Sequence, residues 1–113
     1  MKLIGEIYEP LYDYNTKKYI RVLLTPQDTE KIKKFHDKYP KQRFDPLDGN
    51  ILTIKVPYRY NRVMTKMNGT KGVSSFVRGD KVECGIEFKG AWKVDDIHSG
   101  LTWVLKETYY MYV

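Results

Sequence analysis

From Val82 to Val94 the residues alternate in character with a period of two, and this run constrains the fold more than any other. Val82, Cys84, Ile86, Phe88, Gly90, Trp92 and Val94 fall on one side, and Glu83, Gly85, Glu87, Lys89, Ala91 and Lys93 fall on the other. Side chains of a strand point alternately to opposite faces, so the pattern predicts a long strand with one apolar and one wet face. Leu101 to Val113 predicts a second long strand, with Leu101, Trp103, Leu105, Glu107, Tyr109, Met111 and Val113 on one side. Asp95 to Gly100 connects the two as a hairpin. Gly85 and Gly90 mark expected bends or bulges, and Gly79-Asp80 marks the turn that enters the first strand. The apolar face assigns Cys84, Trp92 and Trp103 to the core.

Shorter strands are expected at Lys2–Tyr8, Lys18–Leu24 and Ile51–Pro57, with Asp13-Tyr14-Asn15-Thr16 turning between the first two. One helix, over about residues 26–39, separates the second strand from the third. Thr25 suits its N-cap, Pro26 its first position, and Asp28 the acidic position of a capping box. Ile32, Phe35, His36 and Tyr39 follow helical spacing, while Lys31, Lys33, Lys34 and Lys38 take the other sides. Pro40 stops it. The 113 residues make one domain, 1–113, and a chain of this length buries roughly 65% of its extended surface. Five curved strands and one helix predict a mainly β fold, a small five-stranded Greek-key barrel.

Charge narrows the function. The net charge is +6, concentrated in residues 17–43 and 55–81. The second stretch holds Lys55, Arg59, Arg62, Lys66, Lys71, Arg78 and Lys81 against one acid, Asp80. Such a field favours polyanions, nucleic acid first and an anionic membrane surface second. Aromatic rings accompany the cations in Tyr58-Arg59-Tyr60-Asn61-Arg62, where an extended chain would put Tyr58 and Tyr60 on one side and Arg59 on the other. Val63 to Ser75, with Asn68-Gly69-Thr70-Lys71-Gly72, reads as a mobile or hairpin-tip segment that orders on a ligand; Asn68-Gly69-Thr70 is read as a turn and not as a glycosylation site. Rings that stack on bases beside cations that reach phosphates are what a single-strand groove needs. Tyr19 and Arg21 share one face of the second strand, opposite Ile20, Val22 and Leu24, and belong to the same expected surface.

Catalysis is not expected. Cys84 and His98 are the one nucleophile–base pair that could be drawn, and Cys84 shares its face with Val82, Ile86 and Phe88. One Cys and two distant His do not make a zinc set, Asp95-Asp96 reads as a solvated turn, and no specific phosphate-cradling glycine motif occurs. No metal and no cofactor are expected. A single cysteine excludes an intrachain disulfide, and with no signal-like amino terminus and no spanning-length apolar run the expectation is a cytoplasmic, non-membrane protein.

Gly79-Asp80-Lys81-Val82-Glu83-Cys84-Gly85-Ile86-Glu87-Phe88-Lys89-Gly90, Trp92-Lys93 and Gly100-Leu101-Thr102-Trp103-Val104-Leu105 together resemble the closing hairpin of phage and viral single-stranded DNA-binding proteins of the oligonucleotide-binding fold. The likeness covers about 35 residues. It implies an oligonucleotide-binding barrel, of which some phage members carry the helix between the second and third strands. It also implies a role in coating and protecting single strands during replication, recombination or repair, in a host cytoplasm or nucleoid. One departure is the ending Tyr109-Tyr110-Met111-Tyr112-Val113, where many such proteins carry an acidic tail; recruitment of partners through a tail is not expected.

The combined expectation is a non-catalytic single-stranded DNA-binding protein. Tyr58, Tyr60, Tyr19 and Phe76 would stack on bases, and Arg21, Lys55, Arg59, Arg62, Lys66, Lys71 and Arg78 would meet phosphates. The rival readings are an RNA or duplex-DNA binder on the same fold and a viral structural or host-interaction protein. A homodimer through an exposed C-terminal edge strand is a further possible partner arrangement.

Overall fold

The computed structural model describes residues 1–95 and 98–110, except the side chains of Asp95 and His98. Met111, Tyr112, Val113, Asp96 and the proposed Cys84–His98 pairing therefore lie outside the described residues. Among these residues the order is β1 (Lys2–Tyr14), β2 (Lys17–Leu24), α1 (Pro26–His36), β3 (Leu47–Asp48), β4 (Ile51–Val56), β5 (Tyr58–Arg59), β6 (Arg62–Val63), β7 (Lys66–Asn68), a 3₁₀ turn (Val73–Ser75), β8 (Lys81–Asp95) and β9 (His98–Tyr110). The fold is mainly β with one helix, and the helix lies between the second and third long strands, as the sequence predicts. The four short strands β3, β5, β6 and β7 are additions to the expected five.

One sheet runs β3-β4-β2-β1-β8-β9-β7. β4 also pairs with β9, in parallel, through Lys55 opposite Val104. The pairings of β1, β2, β4, β9 and β8 therefore form a ring, antiparallel at every step but that one. Alternation puts every second residue inside it: Ile20, Val22 and Leu24 of β2, Leu52, Ile54 and Val56 of β4, and Val82, Cys84 and Ile86 of β8 are all buried. α1 lays Ile32 onto this core, and full burial of such a side chain contributes about 1.5–3 kcal/mol.

Two details of the helix differ from expectation. It ends at His36, because Lys38 and Tyr39 donate to Phe35 O and His36 O in tightened three-residue turns. Thr25 Oγ1 does accept from the Asp28 amide at 3.3 Å. The Asp28 carboxylate, however, does not close a capping box; its Oδ2 accepts from the Ile4 amide of β1 at 2.8 Å, clamping helix to sheet. At the other end, His36 Nε2 accepts from Trp103 Nε1 at 2.9 Å. That bond requires the proton on Nδ1, which lies 3.2 Å from Asp45 Oδ1 but off the line of a good hydrogen bond. Burial holds the His36 pKa below its ordinary value, against the pull of Asp45.

The apolar face of β8 does not stay inside. The register slips between Phe88 and Gly90, and Gly90 adopts φ 105°, a conformation open to glycine. Past this bulge the hairpin outruns the ring, since β1 pairs with β8 only as far as Gly85. Trp92 is consequently 38% exposed, which corrects its assignment to the core, and Val94, on the face expected to be apolar, is 78% exposed; Trp103 at 2% bears its assignment out. Trp92 instead lies against Gly100, where an added Cβ would come within 2.8 Å of the indole. Its ring stacks on Phe44 at 6.2 Å between centroids.

A second slip, between Gly85 and Ile86, inserts Lys106 into β9 and reverses the parity that follows. Thr108, not Glu107 or Tyr109, is the buried residue there.

Candidate nucleic-acid interface

Because Ile20, Val22 and Leu24 point inward, Lys17, Tyr19 and Arg21 must point out. Register then builds a row across three strands. Tyr19 lies opposite Tyr12 of β1 and Lys55 of β4, and Arg21 lies opposite Glu9 and Thr53. The Tyr12 and Tyr19 rings sit 5.9 Å apart. Arg21 and Arg78 both lie over the Tyr8 ring, at 5.2 and 4.6 Å, and Arg21 also meets Glu9 Oε1 at 3.5 Å. Burial, then the charge of Glu9, raises the Tyr12 phenol above its ordinary pKa, so it remains a neutral ring.

The row ends in a cluster of lysines. Lys17, Lys18 and Lys55 line an open pocket with Thr16, Val56 and Tyr58. Lys18 binds Asp13 and lies 4.6 Å from the Tyr58 ring centre. Burial, and then the neighbouring Lys17 amine, hold Lys55 below the ordinary lysine range.

Beyond Pro57 the chain forms a hairpin of β5 and β6 whose turn residues, Tyr60 and Asn61, have φ 53° and 60°. This two-residue turn replaces the expected extended segment and lifts Tyr60 to 89% exposure. Arg59 and Arg62 face each other across it. Like charges placed directly opposite destabilise a hairpin, so the pair has no folding rationale.

The fold thus gathers Tyr19, Arg21, Lys55 and Tyr58 along one surface, continues it into Arg59, Tyr60 and Arg62, and sets Arg78 at the Tyr8 ring. It does not do the same for the rest. Phe76 is buried at 4% and packs on Tyr110 at 6.3 Å, so it is core and not a stacking platform. Lys71 is committed to Asp80 Oδ2 at 2.6 Å and lies over Tyr110, which corrects its assignment to phosphate. Asp80 also accepts from the Val77 amide at 2.9 Å; although burial pushes its pKa up, Lys71 and that amide outweigh it and the net shift is down. Lys66 is exposed on β7, in register with Glu107. The expected mobile tip at Val63–Ser75 is instead pinned: Thr65 Oγ1 donates to Leu105 O at 2.9 Å and Asn68 Nδ2 to Thr108 O at 3.1 Å.

Sequence reasoning missed Tyr8, Tyr12, Lys17 and Lys18. A signal was present, because a two-residue Asn15-Thr16 turn dictates Tyr14 opposite Lys17, Asp13 opposite Lys18 and Tyr12 opposite Tyr19.

Cys84 is fully buried, and burial pushes its thiol up to about 12, which keeps this side chain a neutral thiol at neutral pH. Among the described residues no group of three or more His, Cys, Asp or Glu could hold a metal ion, and no helix is long and apolar enough to cross a membrane. Comparison of the chain with protein-family models, with curated proteins and with solved structures gave no match.

Proposed function

We propose that this chain is a non-catalytic single-stranded DNA-binding protein, built as a five-stranded Greek-key barrel of the oligonucleotide-binding kind. The observation that carries this reading is the outward row of Tyr8, Tyr12 and Tyr19 interleaved with Arg21, Arg78 and Lys55. Rings on a sheet face bind bases by stacking at about 1–3 kcal/mol each, without regard to sequence, and adjoining cations take the phosphates. The ring of pairings, closed by the parallel β4–β9 contact, supports the barrel. A row spread over three strands is rigid, which lowers the entropy cost of capturing a flexible strand. The role this suits is coating and protecting single strands in replication, recombination or repair.

The test is a fluorescence titration with labelled single-stranded DNA, single-stranded RNA and duplex DNA of equal length, across salt. Tighter single-strand DNA binding, falling with salt and persisting in part at high salt, is the expected result. Preference for RNA or duplex moves the assignment to those ligands. Equal weak binding to all three that vanishes with salt reduces the row to a charged surface and overturns the reading.

A further inference from the structure

The lysine pocket at the end of the row is not balanced in charge. Its volume is about 270 Å³, and it is lined by Lys17, Lys18, Lys55 and Tyr58 with Thr16 and Val56. Asp13 neutralises Lys18. Lys17 and Lys55 extend from neighbouring strands into the same pocket, and the Lys17 amine helps to hold the Lys55 pKa down. Neither has a carboxylate partner among the described residues.

Two ammonium groups this close repel, and the repulsion grows as water is excluded. An anion received between the amines relieves the strain. A backbone phosphodiester brings one negative charge and balances one amine. A phosphate monoester carries about −1.5 to −2 near neutral pH and three acceptor oxygens, so it balances both and can accept from both.

Position adds a second argument. From Arg21 to Lys17 the row runs four residues along β2, about 13 Å, which is room for roughly four nucleotides at a stacked rise of about 3.4 Å. Past Lys17 the chain turns back at Asn15-Thr16. The pocket therefore marks the end of the β1–β2 part of the row, beside the point where the surface passes into the Tyr58–Val63 hairpin.

We propose that the Lys17–Lys55 pocket binds a terminal phosphate monoester, anchoring the end of a nucleic-acid strand whose first bases lie on Tyr12 and Tyr19. This rests on the strand-binding reading above, but the two can fail separately.

The first experiment is an NMR titration with inorganic phosphate against chloride at matched ionic strength, following the lysine side-chain signals. Saturable shifts at Lys17 and Lys55 with phosphate alone are expected; no shift, or the same shift with chloride, overturns the proposal. The second compares oligonucleotides with a 5′-phosphate, a 3′-phosphate or hydroxyl ends. One phosphorylated end should bind at least about fivefold more tightly at low salt. Lys17→Met, at an exposed position that leaves the core intact, should abolish that preference while weakening the binding of hydroxyl-ended strands by a smaller factor than that of the preferred phosphorylated end. Equal affinity for all three ends in the unaltered protein overturns end anchoring while leaving strand binding in place. If no oligonucleotide binds, the row reading falls and the phosphate titration alone decides the pocket.

Discussion

Lys55–Arg62 and Lys71–Asp80 belong to one basic stretch of sequence, yet they meet opposite fates in the fold. In the first, Lys55 shares a pocket with Lys17 and Arg59 faces Arg62, with no acid among the described residues to relieve either contact. In the second, one carboxylate, Asp80, draws in Lys71 and the Val77 amide, and Phe76 turns into the core. The difference teaches that the number of cations in a segment matters less than whether an acid stands where it can collect them. Cations left beside one another store repulsion that a ligand can release; cations collected by an acid hold a loop in place.

The comparison breaks most sharply at Phe76. Phe76→Ala should cost about 3–5 kcal/mol of stability by denaturant unfolding, with the affinity of the folded fraction for single strands unchanged. Loss of affinity without loss of stability would mean that Phe76 reaches the ligand after all. Next comes the row: Tyr12→Ala and Tyr19→Ala should each weaken single-strand binding by about 1–3 kcal/mol in a fluorescence titration, far more than Tyr110→Ala. Equal effects of all three would erase the distinction between the two regions.

His36 supplies a smaller effect that belongs to neither. Its folded pKa lies below the unfolded value near 6.5, so the folded state binds fewer protons in the window between the two. Stability is fully present above the unfolded pKa and is lost as pH falls through that window towards the folded pKa. Thermal melts from pH 7.5 to 5 should show this loss, and His36→Gln should flatten it. A pH slope retained in that variant would place the titration elsewhere. The smallest effect is expected at the hairpin: Arg59→Gln should leave stability unchanged or raise it by a few tenths of a kcal/mol. It should also reduce the salt slope of single-strand binding by about 0.7. An unchanged slope would remove the hairpin from the interface.

Much of the fold is legible because one simple period reports it. The strands of the ring follow apolar alternation, and the helix start follows from Thr25 and Pro26. What was not legible traces to places where a single inserted residue reverses parity. Gly90 turns Trp92 and Val94 outward, and Lys106 hands the interior to Thr108. β1 slips between Ile7 and Glu9 and again before Tyr12, which hid half of the row behind broken alternation around Pro10. Phe76 and Lys71 were misplaced for another reason: their partners, Tyr110 and Asp80, are tertiary, and no local pattern announces them.

The three strands that carry the row end at Val56, whereas the strands that close the ring around their inner face begin only at Lys81. On a ribosome, synthesis at about 5–20 residues per second completes the aromatic and cationic side of the sheet seconds before anything can cover its apolar side. The amino group of Met1 bonds to Ile86 O, 85 positions away. The chain's beginning must therefore wait for its far half to be translated, and contacts that distant make for slow folding. A nascent chain would thus present its aromatic and cationic surface on an open, sticky sheet, and a ligand or chaperone that holds the half-made sheet apart from its neighbours would raise the yield of folded protein.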